Sequence, residues 1–226
     1  MTVTSTRADT TIVLDFETTG LSPDYGDRAI EIGAVKLVDG KVVETFQKLM
    51  YPGKRIDSFI ESYTGITNSM LQKAPPCEEV MCEFSDFING YNLVAHNASF
   101  DKKFLESELS RCKKDRREEF ACSMLIARRI YQDAPNHKLG TLVEYKNLPN
   151  DGTFHRALAD SQMTAQLWLR MINDIKSEHS FGNVPFSVMQ TLSRTNKNSA
   201  SAFLAREAKT KMVPESNSFN IPAAVA

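Results

Sequence analysis

The chain has 226 residues, 42% of them apolar, and a formal net charge of -1. That is enough apolar material for one substantial core, or for a core plus a tail. Near-neutrality excludes a protein that grips long duplexes by charge over its whole surface, so any nucleic-acid contact has to be local.

Residues 11–16 are a compact run of strand-favouring types leading into acidic residues. Residues 29–38 and 41–50 flank Asp39-Gly40, a strong hairpin turn signal, and the three segments predict a sheet that begins with an antiparallel pair. Residues 57–70 are less periodic, and Gly65 with nearby Thr and Asn implies short helical turns and a loop. Pro75-Pro76 opens a helix that carries Val80, Phe84, Phe87 and Ile88 on one side. A short apolar strand is expected over residues 91–95. The helix that follows, from about Ser99, puts Asp101, Leu105 and Leu109 in one row with Phe104 beside them. Short helices are expected over residues 124–131 and 139–145, and a longer one over 156–175. This order predicts an α/β domain with a mixed sheet. After Lys176 the composition turns to Ser, Asn, Lys, Thr and Ala. The expectation is a domain over residues 1–176 and a tail over 177–226, with a short helix at 199–208 and weak order from 210 onward.

Cys77, Cys82, Cys112 and Cys122 lack the C-x-x-C spacing of zinc sites and read as reduced thiols. The polar residues 1–9 show no signal-peptide pattern, and no apolar run approaches the roughly 20 residues that span a bilayer. A cytoplasmic location without membrane association is expected.

Acidic groups stand at three places where packing alone would favour other residues. Asp15 and Glu17 lie two apart at the end of the first strand, so both side chains share a face. Adjacent carboxylates repel unless a cation neutralises them, although acidic residues at strand ends are common. Asp101 suits a first helical turn through the helix dipole, yet its row with Leu105 and Leu109 points it inward. Asp160 shares a stripe with Ala157, Thr164, Leu167 and Met171, and a buried charge needs a partner or a metal. His155, in a loop after Asn150-Asp151-Gly152, would by itself be read as a solvated surface group.

Taken in order, Asp15-Phe16-Glu17-Thr18-Thr19-Gly20, then His96-Asn97-Ala98-Ser99-Phe100-Asp101, then His155-Arg156-Ala157-Leu158-Ala159-Asp160 resembles the DnaQ-like (DEDDh) 3′–5′ exonuclease family. The likeness runs over residues 11–175 and includes Gly65-Ile66-Thr67; Thr64 stands where the family often has His. It implies a ribonuclease H-like fold and a metal-dependent 3′–5′ exonuclease that releases nucleoside 5′-monophosphates. Two divalent ions about 4 Å apart can activate water, neutralise phosphate and assist the leaving oxygen. Four carboxylates suit Mg²⁺ or Mn²⁺. By resemblance, Asp15, Glu17 and Asp160 hold one ion, Asp15 bridges to a second, and Asp101 supports that one. His155 is the implied general base, since imidazole can accept a proton near neutral pH.

Thr18, Thr19, Gly20, Leu21, Ile66 and Asn97 are the implied contacts to the 3′-terminal nucleotides; for Leu21 and Ile66, ordinary core packing is an equal reading. Arg111, Lys113, Lys114, Arg116 and Arg117 form a basic cluster that fits a solvated helix end better than a strand guide. The wording Phe16-Glu17-Thr18-Thr19-Gly20 resembles proofreading subunits, so single-stranded DNA 3′ ends are favoured over RNA. RNA trimming similar to ribonuclease T is the alternative, along with a partner-dependent nuclease or tethering module. A homodimer, and docking of a polymerase or another protein through the tail at Phe203 and Leu204, remain open.

Overall fold

Alternation along the first strand sets the layers. In the computed structural model, which describes residues 7–150 and 155–212, β1 (Thr11–Thr18) turns Ile12, Leu14 and Phe16 to one face. Val13, Asp15 and Glu17 occupy the other face, following the two-residue period of a strand. β2 (Ala29–Val38) pairs antiparallel with β1, and β3 (Lys41–Leu49) pairs antiparallel with β2. Asp39 and Gly40, at φ 51° and 74°, make the tight turn between β2 and β3, as the Asp-Gly dipeptide predicts. α1 (Ser58–Thr64) is capped by the Asp57 carboxylate, which accepts from the Ile60 N–H, and ends at Gly65 with φ 70°. α2 (Asn68–Leu71) follows, and then α3 (Cys77–Ile88) starts directly after Pro76.

β4 (Leu93–Ala95) runs parallel to β1 and leads through Asn97, in the left-handed region at φ 69°, into α4 (Ala98–Arg111). β5 (Phe120–Cys122) is parallel to β4 and completes a five-stranded sheet in the order β3-β2-β1-β4-β5 among the described residues. α5 (Ser123–Ile130), α6 (Leu139–Tyr145), α7 (Ala157–His179), α8 (Phe186–Arg194) and α9 (Ala200–Met212) follow. α3 and α4 cover the face of Ile12, Leu14 and Phe16, while α7, α5, α8 and α9 cover the face of Val13, Val35 and Leu37. The result is a mixed sheet between two helical layers, as expected for a ribonuclease H-like exonuclease fold.

Composition hides two elements. β5 is three residues long beside a charged stretch, too short for a visible alternation. α8 lies in the polar segment after Lys176, yet its Phe186, Met189 and Leu192 are buried in the α7-side core. Phe203 and Leu204 of α9 are buried there too, so these side chains serve the chain's own core and are not presented to a partner. The core therefore continues well past residue 176, the point where the composition changes. Among the described residues, no helix is long and apolar enough to cross a membrane.

The closest approach between layers is at Gly33. It pairs with Asp15, and a Cβ built on it would lie 2.1 Å from the Leu158 nitrogen and 2.2 Å from the Ala157 carbonyl carbon. Ser161 Oγ donates to the Gly33 carbonyl at 2.9 Å. Only a residue without a Cβ lets the first turn of α7 rest on the sheet. Gly33→Ala should therefore lower stability by about 1–3 kcal/mol, read as a fall in the urea midpoint, because backbone has to move and no flexible side chain can yield. An unchanged midpoint would show that α7 can shift freely. Truncation after Lys176 should cost the protein its cooperative unfolding transition, since it uncovers α7 and Trp168; a soluble product with the full-length midpoint would show α8 and α9 to be dispensable.

Candidate active site

Three local devices bring the site together. The strand period sets Asp15 and Glu17 side by side on the α7 face. The glycine at Gly33 lets α7 close in, so that Asp160 in its first turn meets them. Carboxylate oxygens of Asp15, Glu17 and Asp160 all lie within 4.8 Å of one another. Asp101 arrives from the other layer: it sits in the first turn of α4, and its Oδ1 accepts from the Phe16 N–H at 3.2 Å. The fourth acid is thus held against the backbone between the two β1 carboxylates.

Glu31, which the sequence reading passed over, anchors the start of α7. It is fully buried, pairs with Glu17 across the ladder, and faces the same way. Its carboxylate accepts from Arg156 Nε at 3.1 Å, Arg156 Nη2 at 2.8 Å and the Ala157 N–H at 3.1 Å, with Gln47 adding a fourth donor at 2.9 Å. A carboxylate that caps a helix from the neighbouring sheet both satisfies an end N–H and fixes the helix position. The signal was a Glu set between Ile30 and Ile32 in a mostly apolar strand, two residues from Gly33.

His155 precedes Arg156 with its backbone in the left-handed region at φ 61°. Its N–H donates to Asp160 Oδ2 at 2.9 Å, and its ring lies 3.9 Å, centroid to centroid, from that of Tyr63. Asp15, Asp160 and His155 border two adjoining clefts, and Glu17 borders the first. One, of about 520 Å³, has Leu21, Phe59, Tyr63 and Phe100 on its walls. The other, of about 610 Å³, is bordered by His96, Lys138, Thr141 and Glu144. His96 is a bracing group: its ring nitrogens meet Ser123 Oγ and the His137 carbonyl, each at 2.9 Å, and burial pushes its pKa down to about 4, so it is neutral.

Of the remaining expected contacts, Thr18, Gly20, Leu21 and Asn97 line the first cleft. A bulge between Glu17 and Thr18 turns the strand out of its ladder there, and Thr18 Oγ1 donates to the Gly20 carbonyl at 2.6 Å. Thr19 faces the loop instead, its hydroxyl donating to Asp27 at 3.1 Å and accepting from the Arg28 N–H at 3.1 Å. Ile66 takes the core-packing alternative: it is fully buried with Ile30, Ile56 and Leu71, and the cleft wall is formed there by Phe59, Ile60 and Tyr63 of α1. Three residues of the basic cluster are occupied with neighbours, Arg116 with Glu106 and the Glu118 carbonyl, Lys114 with Asp86, Arg111 with Glu108.

Bringing four acids together under a protein layer makes their charged forms costly. Burial, followed by the charges of Asp101, Glu17 and Asp160, holds the Asp15 pKa well above the carboxylate range. Burial and then Asp160 push Glu17 up to about 8, and burial pushes Asp101 to about 7 and raises Asp160. Oxygen-only donors that converge and resist ionising when alone fit a hard divalent cation. With these pKa values above those of the unfolded chain, the metal-free fold has its full stability only below the ordinary carboxylate range. It loses that stability as pH rises through about 7 to 8. In EDTA the protein should melt higher at about pH 6 than at about pH 8.5, and Mg²⁺ or Mn²⁺ should raise the melting temperature more at the higher pH. Equal metal-induced shifts at both values would speak against a cation among these carboxylates.

The comparisons with known proteins agree with this geometry. The exonuclease family model RNase_T matches residues 12–168. A PolC-type DNA polymerase III of Caldanaerobacter subterraneus subsp. tengcongensis is 40% identical over 168 residues, covering 73% of this chain and 12% of that protein. The 3′-5′ exonuclease DinG of Bacillus subtilis is 32% identical over 187 residues, covering 82% of this chain and 19% of that protein. The chain thus spans only a small part of the length of these relatives. Among solved structures, exonuclease X in complex with 5′ overhanging duplex DNA superposes with a TM-score of 0.60 at 28% identity, over 72% of this chain and 91% of that one. The nuclease domain of 3′hExo, a DEDDh family member bound to rAMP, shares the fold with a TM-score of 0.63 at 23% identity, over 74% and 92%. With that family model matched over most of its length, the chain belongs to the RNase_T exonuclease family.

Proposed function

We propose that the chain hydrolyses phosphodiester bonds one at a time from the 3′ end of single-stranded DNA, releasing nucleoside 5′-monophosphates. The observation that carries this reading is the convergence of Asp15, Glu17 and Asp160, with Asp101 and His155 beside them, where the two clefts adjoin. The preference for DNA is supported by the PolC-type DNA polymerase III relative and by the DNA-bound exonuclease X.

Asp15, Glu17 and Asp160 would hold one Mg²⁺ or Mn²⁺, and Asp15 with Asp101 a second; the bound ions supply an acidified water and neutralise charge on the phosphate. His155, which borders both clefts, takes the proton of the attacking water. Leu21, exposed over most of its surface, and Phe59 offer apolar surface to the terminal bases, while Thr18 and Gly20 lie within reach of the terminal sugar. Recognising an end in a cleft, without coating a strand in positive charge, agrees with a net charge of only -1.

The test is incubation of purified protein with 5′-labelled single-stranded DNA and RNA, with Mg²⁺, Mn²⁺ or EDTA, beside Asp15→Ala. A ladder shortening from the 3′ end, faster on DNA and absent with EDTA or in the mutant, is expected. Faster cleavage of RNA would transfer the assignment to RNA trimming, and no ladder from folded, metal-loaded protein would overturn the nuclease itself. His155→Ala should lose on the order of 10²- to 10⁴-fold in turnover while still gaining thermal stability from Mn²⁺. Turnover within about twofold of wild type would remove His155 from the base role.

A further inference from the structure

Tyr63 lies outside every motif of the chain, yet it touches the group on which proton transfer depends. Resting on the assignment of His155 as general base, we infer that Tyr63 is the positioning residue that sets the plane of the His155 imidazole by ring contact. His155 follows Asn150-Asp151-Gly152 in a connecting segment, and its backbone occupies a region that side-chain-bearing residues seldom adopt. Its N–H to Asp160 fixes the backbone but leaves the side chain free to rotate. Among the described residues, neither ring nitrogen of His155 has a hydrogen-bond partner.

A catalytic base is commonly oriented by a third group hydrogen-bonded to its second nitrogen. Here the orienting contact is a face. The rings of Tyr63 and His155 are 3.9 Å apart at 34°, and Phe59 stacks on Tyr63 at 5.8 Å and 13°. Stacking holds the imidazole in place while leaving both nitrogens open, one to take a proton and one to pass it to solvent. The column has a fixed base, because α1 is closed at both ends by Asp57 and Gly65. Glu61 of the same helix accepts from the Asn68 N–H at 2.6 Å and from Asn68 Nδ2 at 2.8 Å. Tyr63 is also half-exposed and borders both clefts, so packing alone gives no reason for an aromatic ring there.

A base platform for substrate is the competing role for the same ring, and a double-mutant cycle separates the two. The substrate is the p-nitrophenyl ester of thymidine 5′-phosphate with Mn²⁺, and the proteins are full-length wild type, Tyr63→Ala, Tyr63→Phe, His155→Ala and Tyr63→Ala/His155→Ala. Melting temperatures are recorded for each. Tyr63→Ala should lower kcat about 10- to 100-fold with KM within about twofold, and Tyr63→Phe should retain wild-type kcat. In the His155→Ala background, Tyr63→Ala should cost nothing more. The inference is overturned by an equal loss in both backgrounds, by a rise in KM with kcat intact, or by Tyr63→Phe failing like Tyr63→Ala. If His155→Ala itself turns over normally, the fault lies in the base assignment, and the positioning role falls with it.

Discussion

The contact between α7 and the sheet at Gly33 is the constraint on which the site depends. A helix that packs on a sheet through ordinary side chains stands about 10 Å away; here the backbone of Ala157 and Leu158 comes so close to Gly33 that no Cβ fits between them. Gly33 is the ladder partner of Asp15, so the closest approach falls opposite the central carboxylate. Glu31, two residues earlier on the same face, receives Arg156 and the Ala157 N–H, and locks the helix at that distance. Asp160 reaches Asp15 and Glu17 because of these two residues, neither of which touches a nucleotide in the proposed reaction.

Elsewhere in the fold, buried acidic charge is resolved by the chain's own basic side chains. Glu31 and Glu108 are buried carboxylates too, but each has an arginine: Arg156 for the first, Arg28 for the second at 2.8 Å and 2.9 Å. Asp174 receives Lys146, Arg170 and Tyr131, which hold its pKa low. Asp15, Glu17, Asp101 and Asp160 have no such partner, and their pKa values move the opposite way. The protein can neutralise buried acids and does so repeatedly, so the four left over mark a place where the neutralising charge is meant to come from outside the chain.

Sequence patterns disclose this site unevenly, for physical reasons. Asp15, Glu17, Asp101 and Asp160 are legible because each breaks an apolar period at a position the period turns inward. The hairpin is legible because Asp39-Gly40 supplies the two positive φ values the turn needs. Gly33 and Glu31 are not, since a glycine or glutamate inside a strand becomes meaningful only when one knows which helix lies over it. Tyr63 and Phe59 escape for a similar reason: their partner, His155, is far away in sequence. Ile66 follows the left-handed Gly65, and its side chain points into the core with Ile30, Ile56 and Leu71, while Tyr63 and Thr64 before that glycine line the cleft. α8 is hidden by composition; a short amphipathic helix needs only a few apolar residues, and a polar segment can supply them.

The strict alternation of β1 also bears on how errors in folding would show themselves. Leu14 and Phe16 alternate with Asp15 and Glu17 along the strand and serve the opposite layer. A slip of β1 by one residue against β2 would drive the two carboxylates among Phe84, Phe104 and Leu105 and turn Leu14 and Phe16 toward Asp160. Such a molecule would be both inactive and unstable, with no intermediate grade of damage. The apolar half of the strand thus acts as a gauge for its acidic half: any chain that passes the test of burying Leu14 and Phe16 has, by the same geometry, aimed Asp15 and Glu17 correctly.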